Sequence, residues 1–288
     1  MQALFNQIRR LTLFEVALLA SLLLLAAFLA LPIVFIINHA FKPYNELFQF
    51  PPTFLVKEPT LSNFYDLFLR SSASIVPFSR YLFNSIIVTS ISLFAVIVSC
   101  SMAAYVLSKY RFGLKKAVMA MIMLSLMFAP ETVAIPRYLI ISWLQINNTY
   151  FGHILPFIAS PVAVFLMKQF VDQIPNELVE AAKVDGASEV RIFLQIVMPL
   201  AMPALATIAI ITFQSVWSDG QASTLFMQDE TMKTLPYYIT TLTSGANNTV
   251  AGQGMAAAAG LLMFLPNLMI FLFAQKRIME TMVHSGVK

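Results

Sequence analysis

The chain is predicted to be all-α: a polytopic membrane protein with six transmembrane helices and a helix-turn-helix elbow on the cytoplasmic side. Three observations predict this. The 288 residues have a mean hydropathy of +0.77 and are 59% hydrophobic but only 11% charged. Several apolar runs reach the roughly 20 residues that a helix needs to cross a bilayer. One segment breaks the pattern, with Glu177, Glu180, Lys183, Asp185, Glu189 and Arg191 crowded into a short stretch. Helices follow from the apolar runs because backbone groups in lipid must bond within their own segment.

The first apolar run, Val16 to Ile37, follows Arg9 and Arg10. It is longer than a signal-peptide core and no small-x-small site follows, so it reads as an uncleaved span, 14–37. The second span is 81–107, and the third, 117–141, is interrupted by Pro130 and Pro136. Spans at 151–170, 194–217 and 255–274 complete the set. Lys109, Arg111, Lys115 and Lys116 crowd the link between spans two and three, and Lys276 and Arg277 follow span six. The link after span three has no Lys or Arg. The bias of basic residues toward the cytoplasm then places both termini inside and the links 38–80 and 220–254 outside. In the first outer link, Leu61, Phe64, Tyr65 and Phe68 recur at helical spacing, which predicts a short amphipathic helix on the membrane or a partner.

The elbow follows from local signals. Pro175 suits a first helical turn, and Glu177 and Glu180 suit the positive end of the helix dipole. Gly186 is a natural left-handed terminator, and Ser188 can cap a second helix running through Ile192, Phe193 and Ile196 to Pro199. Adjacent Ala181 and Ala182 give a close-contact surface.

Glu180-Ala181-Ala182, three residues, Gly186, nine residues, Ile196, two residues and Pro199 resemble the EAA motif of ATP-binding-cassette importer permeases. Met198 stands where that motif has Leu. Asp185 and Pro203 further resemble the maltose-type, carbohydrate-importing branch. "RYLFNSIIVT" (Arg80–Thr89), "KYRFGLKK" (Lys109–Lys116) and Met255–Lys288 are similar to the family's core start, cytoplasmic link, and last span with tail. Thr281 stands where the tail commonly has Gly.

The resemblance implies a non-catalytic permease that pairs with a second, related permease above two ATPase subunits, fed by an external solute-binding protein in a prokaryotic cell membrane. ATP and Mg would be bound by the ATPase, not by this chain. Glu180, Ala181, Ala182, Asp185, Gly186 and Pro199 would carry coupling, with Glu180 pairing to a basic residue of the ATPase. The loop in 220–254 corresponds to the one that reaches toward the binding protein. The substrate implied is a sugar or oligosaccharide, with glycerol phosphate or a polyol as the alternative. The chain itself has no G-x-x-x-x-G-K-[ST] phosphate loop, so an ATP-driven process needs another subunit.

Near the span ends lie Glu131, Arg137, Gln214, Trp217 and Asp219. Glu131 and Arg137 either pair in a broken helix lining the pathway or sit at the outer interface. Gln214, Trp217 and Asp219 either touch substrate, with the indole stacking on a sugar ring, or Trp217 belongs to the aromatic belt. Cys100 reads as a small buried hydrophobe, and His39, His153 and His284 as surface or interface residues. "NNT" at Asn147 and Asn247, both in outer links, reads as turn-forming Asn or as a glycosylation acceptor, the first being favoured because the pattern is so short. No Cys/His spacing suits a metal, the net charge of +4 marks membrane topology and not nucleic acid, and no catalytic constellation is present. Ion-coupled transport would require mid-membrane carboxylates and internal repeats, and neither is evident.

Overall fold

The structure, a computed structural model, describes residues 12–69, 76–244 and 250–285, without the side chains of 250, 251, 274 and 276–285. Arg9, Arg10, Asn247 and the last three tail residues lie outside the described residues. No strand occurs among those described. They divide into two compact units, separated at 67/68, 241/242 and 261/262.

The first unit begins with α1, Leu13–Phe41. Thr12 and Glu15 form a reciprocal capping box: the Glu15 carboxylate accepts the Thr12 N–H at 2.7 Å and the Thr12 hydroxyl accepts the Glu15 N–H at 3.3 Å. At 1.5 Å per residue this helix is about 43 Å long, more than the hydrocarbon thickness. Within this unit its only buried residue is Ala40, and a helix apolar all round with no protein cover is one built for lipid contact. Beyond it come the short α2, Tyr44–Leu47, and α3, Ser62–Leu69.

Backbone donors of the connecting loop are satisfied by side chains. Glu46 accepts the N–H of Lys57 (3.1 Å) and of Glu58 (2.8 Å), and Asn38 accepts that of Val56 (2.9 Å). Asn63 of α3 donates to the carbonyls of Ala40 (3.0 Å) and Lys42 (2.7 Å). The α3 helix is where the spacing predicts it, but its buried residues are Asn63 and Leu67. Leu61 and Tyr65 face outward, which suits a helix lying against an apolar medium.

The second unit is organised on α4, Phe78–Lys109. Two shorter helices follow, α5 (Lys115–Ser125) and α6 (Ala134–Trp143). They divide the third span read from the sequence at the first of its two expected interruptions and not at the second. Pro130 sits in the turn between them, whereas Pro136 falls in the first turn of α6, where its missing N–H costs nothing. Next come α7 (Tyr150–Ile158) and α8 (Pro161–Gln173), bent by 42° at Ser160, whose hydroxyl caps α8 through the Ala163 N–H. The elbow helix α9 is Asn176–Val184. Helix α10, Glu189–Leu200, contains a π turn at Phe193–Val197 and meets α11, Met202–Trp217, at 79°. The chain closes with α12 (Gln221–Phe226), a 3-10 turn at Glu230–Met232, α13 (Leu235–Thr243) and α14 (Val250–Ser285).

Among the described residues, three helices are long and apolar enough to cross a membrane, and five segments are if each bent pair counts as one. The core of the second unit joins Val96, Cys100 and Ala104 of α4 to Ala163, Met167 and Val171 of α8, Ile192 and Val197 of α10, and Ala204 and Ile208 of α11. Small residues at these contacts let helices approach closely, which matters where lipid supplies no hydrophobic drive for association.

Candidate functional site

The elbow is built by consecutive local bonds. Helix α9 stops at Asp185 because Gly186 adopts φ +78°. The Gly186 N–H then donates to the Lys183 carbonyl (3.0 Å) and the Ala187 N–H to the Ala182 carbonyl (2.9 Å), the two bonds of a Schellman turn. Ser188 starts α10 by accepting the Arg191 N–H. One face of the elbow packs inward: Val179 is buried, and Ala182, Ala187 and Phe193 pack on the core of α4 and α8.

The other face is open. Glu180, Ala181, Asp185 and Gly186 are exposed, as are Leu178 and Val184, the last at 87%. Pro199 is exposed near the far end of α10, on the other side of the π turn. The structure therefore brings Glu180, Ala181, Ala182, Asp185 and Gly186 together and leaves Pro199 apart from them in the chain.

Polar bonds lock the elbow to the end of α4. Glu189 accepts from Lys183 (2.7 Å) and from the Tyr105 hydroxyl (2.8 Å). These donors hold its carboxyl at about 2, below the usual carboxylate range, with Lys183 the leading cause. The same bond raises Lys183, whose ammonium also lies 5.3 Å from the Tyr110 ring centroid. Lys109 donates to the Ile174 carbonyl and to Asn176 (3.1 Å). Sequence reasoning assigns the 109–116 basic residues only to topology. It misses Tyr105, Lys109 and Tyr110 as supports, and no local signal marks them, because their partners lie 65 or more residues away.

At the opposite end of α11 the geometry reshapes the pathway candidates. Trp217 is 4% exposed, stacks on Phe213 at 5.5 Å and donates its indole N–H to the Met263 carbonyl at 2.9 Å. It offers no open ring face to a sugar or to a belt of lipid headgroups. Asp219 caps α12 through the N–H groups of Gln221 (3.0 Å) and Ala222 (3.3 Å). Gln214 is exposed on α11. Glu131 lies in the exposed turn before α6, and no ion pair joins it to Arg137 among the described residues. Arg137 instead lines a small cleft with Asp219.

Asn84 of α4 is fully buried and anchors the segment after α12. It donates to the carbonyls of Thr231 and Lys233, both at 2.8 Å, and accepts the Tyr150 hydroxyl at 2.8 Å. His153, read from the sequence as a surface or interface residue, is buried and bonded to the Met232 carbonyl (3.0 Å), because the same segment folds over it.

An integral membrane protein of packed helices, with a charged elbow fixed beneath its core, is the class these features define. Residues 22–277 match the binding-protein-dependent transport system inner membrane component family, and the chain belongs to it. It is 30% identical to the arabinooligosaccharides transport system permease protein AraQ of Halalkalibacterium halodurans, over 91% of this chain and 92% of that one. It is 33% identical to the sn-glycerol-3-phosphate transport system permease protein UgpE of Pectobacterium atrosepticum, over 84% and 86%. The fold is that of a chain in the crystal structure of a bacterial transporter importing the acidic polysaccharide alginate, with a TM-score of 0.80, 22% identity, and coverage of 91% and 95%.

Proposed function

We propose that this chain is the transmembrane permease subunit of an ATP-driven sugar importer, forming half of the translocation pathway. A second permease, two ATPase subunits and an external binding protein complete the machine, with both termini of this chain in the cytoplasm. The observation that carries the reading is the elbow. Its exposed face (Leu178, Ala181, Val184, with Glu180 and Asp185) has no cover among the described residues, while its inner face is bonded to α4. A force applied there reaches the core without loss in a floppy link. ATP and Mg belong to the subunit that docks on this face, and Glu180 supplies the charge that pairs with it.

Sugar is the substrate class that the similarity to AraQ supports, and an oligosaccharide fits best. The 33% identity to UgpE keeps glycerol phosphate as the second reading. Purification from native membranes with co-purifying chains identified, followed by ATPase assays with a loaded binding protein, tests both. Stimulation by a sugar-loaded protein supports the first, and stimulation only by a glycerol phosphate-loaded one supports the second. Glu180→Lys should assemble and lose most uptake; normal uptake would remove Glu180 from the coupling role.

A further inference from the structure

An apolar groove of about 540 Å³ opens between the end of α4, the link at 110–112 and the start of α10. Met102, Val106, Phe112, Val190 and Phe193 line it together with Arg111. At 1.5 Å per residue, Met102 lies about 10 Å inside the end of α4. The groove therefore runs from bilayer depth up to the membrane boundary.

Two charged groups face it, and only one is neutralised. Glu189 is taken up by Lys183 and Tyr105. In the same link, Lys109 bonds the Ile174 carbonyl, and Lys115 bonds those of Ser108 and Tyr110. Arg111 has neither a hydrogen bond nor an ion pair among the described residues. A guanidinium beside an apolar slot at a membrane boundary matches a phosphate on an acyl chain, because its fork of donors suits phosphate oxygens.

The volume decides against another helix. A helix about 10 Å across fills roughly 420 Å³ per turn, so the groove holds little more than one turn. It lies well within the roughly 300–1,000 Å³ of small-ligand sites.

We propose that the groove binds one anionic phospholipid from the leaflet nearest the elbow, with an acyl chain along Met102, Val106 and Phe193 and its phosphate on Arg111. Phe193 is the first residue of the π turn, so the bound lipid braces α10 against α4 where the elbow enters the core.

The test uses the whole transporter in nanodiscs with phosphatidylglycerol carrying a photoreactive acyl chain, and adducts mapped by peptide mass spectrometry. Adducts should concentrate at 102–112 and 189–193 and be competed by unlabelled phosphatidylglycerol but not by phosphatidylcholine. Arg111→Ala should lower them about fivefold, the effect of one basic residue near a charged membrane surface. Val106→Trp, which fills the groove and leaves the charge, should lower them as well. Equal labelling by a phosphatidylcholine probe would overturn the proposal, as would photocrosslinks from these positions to another protein chain in place of lipid. ATPase and uptake assays are separate readouts, so failure here leaves the importer reading standing.

Discussion

Replacing Gly186 with alanine isolates a backbone cost at the turn of the elbow. The residue has φ +78°, and a Cβ built there would meet nothing within 4 Å. No clash contributes, so the whole penalty is that of a left-handed L-residue, about 1–2 kcal/mol. The two turn bonds, Gly186 to Lys183 and Ala187 to Ala182, survive in the variant only at that cost. A change of this size alters the ratio of closed to opened turn about 5- to 30-fold. Hydrogen exchange on the assembled transporter reads it directly. Amides of residues 186–192 should exchange faster by that factor, while those of α8 should not change. Gly186→Asn should recover part of the loss, since Asn tolerates this backbone region. Gly113→Ala is the control: its Cβ is equally free of contacts, and its φ lies outside the left-handed region. Unchanged exchange in the Gly186→Ala protein, or an equal rise in the control, would refute the reasoning.

Glu189 gives a pH signature. Its folded value of about 2 lies below the ordinary 4.5, so its stabilisation is complete above pH 4.5 and is lost as pH falls through 2. Elbow protection, taken as exchange relative to the intrinsic rate of each amide at the same pH, should be flat at neutral pH and fall between pH 4.5 and 2; in Glu189→Gln that acid phase should disappear, and its persistence would assign the effect to other groups. Gly254→Ala would place a Cβ 2.4 Å from the Oδ1 of Asn63, a buried side chain held by two carbonyls, and overpacking of this kind costs about 1–3 kcal/mol. Thermal unfolding of the purified complex should shift down, and an unchanged midpoint would show that Asn63 yields freely. Asn84→Leu should cost about 1–3 kcal/mol for each buried partner left unpaired, so trypsin should cut after Lys233 faster than in the parent protein. Equal cleavage would mean that the segment is anchored elsewhere.

The elbow is legible in the sequence because its determinants are local: Ala181, Ala182, Gly186 and Ser188 lie close together in the chain and act through bonds to near neighbours. What holds it is not legible, since Tyr105 reaches Glu189 across 84 residues and Lys109 reaches Ile174 across 65. The same distance effect defeats the reading of Trp217, whose partner carbonyl at Met263 is 46 residues away. An aromatic at a span end looks alike in sequence whether it meets water, sugar or another helix. The apolar stretch 117–141 is legible only in part for a related reason. Composition measures affinity for an apolar medium, and the interiors of protein and bilayer are equally apolar, so only the prolines mark a break there. The break comes at Pro130, where the turn exposes Glu131, and not at Pro136, which the first turn of α6 accommodates. In a chain this apolar, burial carries little positional information, and the few polar side chains with distant partners (Asn63, Asn84, Tyr105, Lys109, Trp217) decide which helices meet. Each of them bonds a backbone carbonyl or a carboxylate on another segment, the kind of contact that lipid cannot supply in its place.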